Sequence, residues 1–129
     1  MSRDKLIGSW DLVESRFFDE AGNMSSPFSA ETTGLLIYSD SDQMSAAVNF
    51  VKPDGTKQAM FYAGPLEIHD GYNVHRIAFS NRDDLVGTHQ KRLVTFDGEH
   101  LVLTNSDSIV GGPGVRAEMI WRRHTHSDG

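Results

Sequence analysis

The sequence predicts an all-β protein, built as an up-and-down antiparallel β-barrel of about eight strands. Three observations support this fold class. Stretches in which apolar and polar residues alternate recur along the chain, and clusters of Gly, Asn, Asp, Ser and Pro separate them. No helical period continues long enough to predict a substantial helix. Strands that follow one another in this way leave no exposed edge when they close into a barrel, and eight of them can enclose one small ligand.

The length of 129 residues favours one domain over residues 1–129, with a polar tail from about residue 124. Eighteen acidic residues against twelve basic ones give a net charge of −6. Such a surface repels phosphate backbones, so we expect no nucleic-acid partner. No apolar run approaches the roughly 20 residues of a membrane helix, so we expect no membrane insertion. The chain has no cysteine and begins with a polar stretch instead of a secretory signal, which favours the cytoplasm.

The first strand is predicted at Leu6–Arg16, where Trp10 and Leu12 share one face. Phe18–Ala30 is rich in Gly, Asn, Ser and Pro and is predicted as a loop, and long loops of this kind often form lids or mouths of sites. Three aromatic residues in or beside it are interpreted as a plug for one end of the core, with ligand contact as the alternative: Phe17, Phe18 and Phe28.

A hairpin is predicted from Thr33–Ser39 and Met44–Phe50, joined by a polar turn at residues 40–42. The more apolar of its two faces is placed inside the barrel: Leu36, Tyr38, Met44, Ala46, Val48 and Phe50. A Lys-Pro-Asp-Gly turn at residues 52–55 then leads into the strand Lys57–Ile68.

The central hairpin is predicted from Tyr72–Ser80 and Gly87–Phe96, with a polar turn at residues 81–84. Symmetric folding about the middle of that turn gives these opposed pairs: His75 with Arg92, and Ile77 with Gln90. A two-residue turn at Asp70-Gly71 gives another set: Leu66 with His75, Gly64 with Ile77, and Tyr62 with Phe79. A turn at Asp97-Gly98 gives a third: Leu101 with Val94, and Leu103 with Arg92.

These three turns assign two faces, and a slip of one residue would exchange them. The predicted inner face carries Tyr62, Leu66, His75, Ile77, Phe79, Gln90, Arg92, Val94, Leu101 and Leu103. The predicted outer face carries Glu67, Arg76, His89, Lys91, Thr95, His100 and Thr104. Asn105–Gly114 is predicted as a loop in which Ile109 and Val110 supply packing points, and Val115–Arg123 as the last strand.

Several short motifs, in one order along nearly the whole chain, resemble the lipocalin-like domain family of small bacterial and fungal β-barrel proteins. They are Leu6-Ile7-Gly8-Ser9-Trp10-Asp11-Leu12-Val13, Gly34-Leu35-Leu36-Ile37-Tyr38, Met44-Ser45-Ala46, Tyr62-Ala63-Gly64, Val74-His75, Gly87-Thr88-His89-Gln90-Lys91-Arg92 and Trp121-Arg122-Arg123. The resemblance implies a lipocalin-like, calycin-type barrel. It also implies that the early tryptophan closes the barrel floor and that an arginine packs across it, a cation–π contact of about 1 kcal/mol. The chain departs from the family at Phe50–Phe61, where relatives often carry a longer, partly helical insertion and this chain has a turn.

The predicted ligand-binding residues are the inward-facing ones around the barrel centre. They are Tyr38, Met44, Tyr62, Leu66, His75, Ile77, Phe79, Gln90, Arg92 and Leu103. Three of these are also candidates for catalysis: His75 as acid or base, Arg92 as the group that holds a carboxylate, enolate or phenolate, and Tyr62 as a partner of the ligand oxygen.

Each candidate also has a structural interpretation. His75 can be a core histidine that is hydrogen-bonded to Gln90 or Tyr62 and positions strands. Arg92 can cover the apolar wall at the barrel rim with its stem, and Tyr38 and Tyr62 can be wall residues.

Three function classes follow. The first is a barrel that binds a hydrophobic or weakly anionic small molecule, and the resemblance implies the second, a cofactor-independent isomerase or cyclase. The third is a filled barrel with a structural or partner-binding role. We expect no cofactor. We also expect no metal site, because the motif His124-x-His126, which could bind a metal loosely, lies in the polar tail and is expected to be solvated. The expected partner is a small-molecule ligand or substrate, and a homodimer is possible.

Overall fold

The structure is a computed structural model that describes residues 3–26, 28–105 and 116–125. Most of the predicted loop Asn105–Gly114, with Ile109 and Val110, lies outside the described residues, as do Val115 and His126.

The described residues form ten strands after a short 3₁₀ turn at Arg3–Lys5. The strands are β1 (Gly8–Phe18), β2 (Met24–Ser25), β3 (Thr33–Tyr38), β4 (Gln43–Val51), β5 (Lys57–His69), β6 (Tyr72–Arg76), β7 (Phe79–Ser80), β8 (His89–Asp97), β9 (His100–Asn105) and β10 (Arg116–Arg123). The two-residue strands β2 and β7 are attached to β1 and β5. The other eight form a ring, because neighbours pair antiparallel from β1 through β9 and β10 pairs with β1. The predicted eight-stranded antiparallel barrel is therefore confirmed.

The hairpin β3–β4 has the predicted faces. Tyr38 pairs with Met44, and all six residues assigned to its inner face are buried. On the next strand, Gly64 and Pro65 pair with Met44 and Gln43, so β4 has a paired strand along each edge. Its inner face forms part of the core.

In the part of the chain that the structure describes, there is no helix with the length and apolar character of a membrane span.

The pairing of β6 with β8 differs from the prediction by two residues. His75 lies opposite Gln90, and Asn73, not His75, lies opposite Arg92. The connection at residues 77–88 is wider than a tight turn. The Ile77 N–H donates to the carbonyl of Thr88 at 3.0 Å, and the Gly87 N–H donates to the carbonyl of Ile77 at 2.8 Å. A shift of two residues keeps every side chain on its predicted face.

The turn between β8 and β9 is displaced in the same way. Val94 pairs with Leu103 and Phe96 with Leu101, so Gly98 and Glu99 are the turn residues instead of Asp97 and Gly98. Gly98 has φ +60°, which fits the first turn position of a tight hairpin that requires a positive φ.

The predicted pair of Tyr62 with Phe79 is wrong. The β5–β6 ladder ends at the pair of Leu66 with His75, and pairing resumes one residue out of step, with Tyr62 opposite Ser80. Phe79 therefore points outward and is 68% exposed, whereas Ile77 stays in the core as predicted. The break occurs beside Gly64, where a Cβ atom would lie 1.9 Å from the carbonyl oxygen of Arg76, a distance possible for no side chain.

One end of the barrel is closed by Trp10 and Arg123. Trp10 is buried and its Nε1 donates to the carbonyl of Leu6 at 3.0 Å. The guanidinium of Arg123 lies 4.3 Å from the centre of the Trp10 indole and donates to the carbonyls of Ile7 and Lys5. This contact confirms the tryptophan and arginine floor that the family resemblance implies.

Candidate functional site

A cavity lies between the floor and the opposite end of the barrel. Its volume is about 60 Å³. The cavity is therefore narrow, and it fits a slender molecule better than a bulky one. Most of its wall is apolar: Phe17, Leu36, Ala46, Val48, Phe50, Met60, Leu103, Ala117 and Met119. The remaining lining residues carry polar atoms: Tyr62, His75, Arg92, Asn105 and Trp121.

Three phenylalanines pack together at the end of the cavity away from the floor. The ring centres of Phe17 and Phe28 are 5.8 Å apart, and those of Phe28 and Phe50 are 4.5 Å apart. Phe17 and Phe50 line the cavity, while Phe18 lies under the guanidinium of Arg116 at 4.3 Å. The plug interpretation holds for Phe17 and Phe28, and Phe17 also touches the space that a ligand would occupy.

The imidazole of His75 lies between two tyrosine hydroxyls. Its Nε2 is 2.6 Å from the hydroxyl of Tyr38, and its Nδ1 is 2.8 Å from the hydroxyl of Tyr62. His75 is 1% exposed, and strands β3, β5 and β6 each supply one member of this group. The hydrogen bond to Tyr62 agrees with one structural interpretation of His75, whereas Gln90 instead donates to Thr88 at 2.9 Å.

The imidazole is held in its neutral form. Burial lowers the pKa of His75 well below its ordinary value, and the charge of Arg92 lowers it further. Burial likewise raises the pKa of Tyr38. A neutral imidazole has one N–H donor and one bare acceptor nitrogen. One tyrosine hydroxyl therefore donates to His75, and the other accepts from it.

Arg92 supplies the positive charge of the cavity. Arg92 is 9% exposed, and its Nη1 donates to the carbonyl of Lys91 at 3.1 Å. In residues 3–26, 28–105 and 116–125, no carboxylate forms an ion pair with it. Because a guanidinium does not lose its proton in a protein, this charge stays in the wall. The prediction that Arg92 points inward is confirmed.

Two buried polar residues near these groups were not among the predicted ligand-binding residues. Trp121 lines the cavity, and its Nε1 has no hydrogen-bond partner among the described residues. Asn73 is fully buried opposite Arg92, and its side-chain nitrogen and oxygen also lack such a partner in the described part of the chain. The alternation along β6 places Asn73 and His75 on one face, and that signal could have identified Asn73.

The structure brings together some of the predicted ligand-binding residues. Tyr62, His75, Arg92 and Leu103 line the cavity. Tyr38 contacts His75 from behind, and Met44, Leu66 and Ile77 are core residues outside the described lining. Gln90 is half-buried and bonded to Thr88, and Phe79 lies on the outer surface. Catalytic roles for His75, Arg92 and Tyr62 stay a prediction.

A comparison with protein families matches residues 7–59, from the start of the barrel to the first residues of β5. Those residues match the lipocalin-like domain. The match includes the floor tryptophan and both strands of the hairpin β3–β4. A lipocalin-like barrel fold suggests small-molecule binding. No curated protein matches the sequence.

Solved structures with a similar outline include two variants of the fluorescent protein UnaG, in which an asparagine is replaced by alanine or by glutamine. The alanine variant is 17% identical, covers 97% of this chain and 100% of its own, and has a TM-score of 0.48. The glutamine variant is 15% identical with the same coverage and a TM-score of 0.47. A lipocalin whose expression is activated by the myc oncogene is 12% identical, covers 99% of this chain and 76% of its own, and has a TM-score of 0.46.

Proposed function

We propose that the lipocalin-like barrel binds a small, mostly apolar molecule whose weakly acidic or anionic oxygen lies beside Arg92. One observation carries the proposal. Arg92 is a buried cation in a mostly apolar cavity, and no carboxylate among the described residues pairs with it. A buried charge without a partner is costly, by several kcal/mol for each ion, and an anionic ligand group offsets that cost.

The rest of the wall sets the character of the ligand skeleton. Nine of the lining residues are apolar, and each 100 Å² of apolar ligand surface that they cover contributes about 2.5 kcal/mol. The narrow free space favours a flat or slender skeleton such as a single substituted ring. Tyr62 lines the same cavity as Arg92 and adds a hydroxyl group that can contact the polar end of the ligand.

The proposal is tested with two ring compounds of similar shape, anionic para-nitrobenzoate and neutral para-nitroanisole. Binding is read from quenching of tryptophan fluorescence, because Trp121 lines the cavity. We expect both compounds to quench to saturation. Arg92→Met should weaken nitrobenzoate about tenfold or more and leave nitroanisole within about twofold. The matched control is Arg76→Met, which removes an exposed arginine of the outer face and should change neither.

Two results contradict the proposal. If neither compound quenches saturably, the barrel interior is filled and the structural or partner-binding class is favoured. If Arg92→Met and Arg76→Met weaken nitrobenzoate equally, the buried guanidinium is not the group that holds the anion.

A cofactor-independent isomerase or cyclase is the second candidate. The observation that favours it is the presence of a tyrosine hydroxyl and a guanidinium in the lining of one mostly apolar cavity, groups that can stabilise an enolate. Against it, both nitrogens of His75 are occupied by tyrosines, so His75 is a poor base.

The two candidates are separated by hydrogen exchange of phenylacetone in heavy water. Exchange that is faster than in buffer and is lost in Tyr62→Phe supports the enzyme, and exchange at the buffer rate supports the binding protein. A cytoplasmic location and a homodimer are further predictions, tested by fractionation and by sedimentation.

A further inference from the structure

A line of polar groups leads from the cavity into the barrel wall. It runs from Tyr62, which lines the cavity, through His75 to Tyr38, with contacts of 2.8 and 2.6 Å. The amide of Asn73 interacts with the Tyr38 hydroxyl, although its oxygen and nitrogen form no complete hydrogen bond to a described residue. An amide offers an acceptor and a donor, so this end of the line can serve Tyr38 in either direction.

The line can point its hydrogens in two directions without forming a charge. When Nδ1 of His75 carries the hydrogen, it donates to the Tyr62 oxygen, and Tyr38 donates to the bare Nε2. The Tyr62 hydroxyl can then donate to a ligand, and Tyr38 can accept from the Asn73 nitrogen. When Nε2 carries the hydrogen, both bonds of the imidazole reverse: Tyr62 donates to Nδ1, and Nε2 donates to Tyr38. The Tyr38 hydroxyl can then donate to the Asn73 oxygen.

We propose that this reversible line makes the cavity a site for weak oxygen acids, phenols or enols, and that it holds them both protonated and deprotonated. The inference rests on the proposed function, because it needs a ligand in the cavity. A protonated ligand O–H donates to the Tyr62 oxygen in the second arrangement. A ligand anion accepts from the Tyr62 hydroxyl in the first, with Arg92 supplying the charge. A carboxylic acid is ionised at neutral pH, so it would bind only to the first arrangement, in which Tyr62 donates to the ligand. A plain alcohol is not ionised, so it would gain nothing from the positive charge of Arg92.

The surroundings keep the line neutral. The titratable and charged groups that face it among the described residues are Tyr38 on β3, Tyr62 on β5, His75 on β6 and Arg92 on β8. Arg92 disfavours a second positive charge nearby, so His75 takes up no additional proton. When the hydrogen bonds reverse direction, the hydrogen of the imidazole is on the other ring nitrogen. The proton that distinguishes the two ligand forms is exchanged between the ligand and solvent, and the protein gains and loses none.

The test uses para-nitrophenol, whose acid and anion absorb at different wavelengths and interconvert near neutral pH. Its affinity is measured below and above that range by tryptophan quenching. Tyr38→Phe removes the partner of Nε2, and a bare acceptor nitrogen is tolerated better than an orphaned N–H. The variant should therefore fix the first arrangement. We expect the affinity for the phenol to fall about fivefold to tenfold, the value of one hydrogen bond, and that for the phenolate to change less than about twofold.

The matched control is Tyr72→Phe, because Tyr72 stacks on His69 outside the line. It should leave the affinities for both forms unchanged. Asn73→Leu is a second variant with the same expected preference for the phenolate, since it removes the acceptor that the second arrangement needs. The inference is overturned if Tyr38→Phe and Asn73→Leu keep the wild-type ratio of phenol to phenolate affinity, or if Tyr72→Phe changes that ratio as much.

The neutral compound para-nitroanisole separates failure of this inference from failure of the proposed function. If nitroanisole and nitrobenzoate bind and nitrophenol binds in one protonation state alone, the line is not reversible and the cavity still binds ligands. If none of the three compounds binds, the proposed function itself fails.

Discussion

The hydroxyl of Tyr38 and the Nε2 of His75 are 2.6 Å apart inside the barrel, although 37 positions separate the two residues in the chain. The contact joins β3 to β6 across the interior, and both residues are buried. It explains how a polar histidine is tolerated in the core, because its second nitrogen is matched by Tyr62.

Removal of the Tyr38 hydroxyl should destabilise the fold. Tyr38→Phe leaves one nitrogen of a buried imidazole without a partner, and we expect the free energy of unfolding to fall by about 1–3 kcal/mol. Urea unfolding measures it, with Tyr72→Phe as the control that should stay within about 0.5 kcal/mol of wild type. Equal stabilities for wild type and Tyr38→Phe would contradict the contact.

The free energy of unfolding should decrease when the pH is lowered, because of His75. Burial and Arg92 lower the pKa of His75 in the folded state, so the unfolded chain binds more protons between that pKa and the ordinary value near 6.5. The contribution of the neutral imidazole is fully present above about pH 6.5, and it is lost as the pH falls through this window.

The pH dependence is measured by urea unfolding between about pH 7.5 and pH 5. The slope of the unfolding free energy from this one group should approach about 1.4 kcal/mol per pH unit in the window. His75→Gln should flatten the curve, whereas His89→Gln, a change at an exposed position of the outer face, should not. Curves with the same slope for wild type and His75→Gln would show that folding does not lower the pKa of His75.

The floor predicts a difference between two neighbouring arginines. Both arginines are exposed, but Arg123 stacks on Trp10 and donates to two backbone carbonyls. Arg123→Met should lower the free energy of unfolding by about 2 kcal/mol, from one cation–π contact and two hydrogen bonds. Arg122→Met should change it by less than about 0.5 kcal/mol, and thermal or urea unfolding compares the two. Equal effects of the two substitutions would show that the floor does not depend on the stacking of Arg123 on Trp10.

Gly64 should tolerate no side chain. A Cβ there meets the carbonyl oxygen of Arg76 at 1.9 Å and the Ala78 amide nitrogen at 2.9 Å, both of them backbone atoms. Gly64→Ala should therefore cost about 3–4 kcal/mol or prevent folding. Gly55→Ala, at a turn with φ +88° and open space around it, should cost about 1–2 kcal/mol. Circular dichroism and urea unfolding rank them, and the reverse order would mean that the strand break lies elsewhere.

Alternation in the sequence predicted the barrel and most of its interior. The inner faces of β4, β8 and β9 follow from a period of two, and errors of two residues in the turns left those faces intact. Phe79 was misplaced because the strand breaks after Arg76, and the backbone contact at Gly64 that causes the break is not visible in an apolar pattern.

The candidate site was predictable in part. The inward positions of His75, Arg92 and Tyr62 follow from alternation, and all three line the cavity. The bond between Tyr38 and His75 was not predictable, because it joins strands that are not neighbours in the ring. The unpartnered Nε1 of Trp121 depends on the rotamer of the indole, which no periodicity specifies.

A crystal structure of the protein soaked with para-nitrophenol tests the central claim most directly. We predict the ring inside the barrel against Val48 and Phe50, with its phenol oxygen within hydrogen-bond distance of the Tyr62 hydroxyl and beside the Arg92 guanidinium. A ring bound on the outer surface, or an oxygen directed away from Tyr62 and Arg92 towards Phe17, would contradict it.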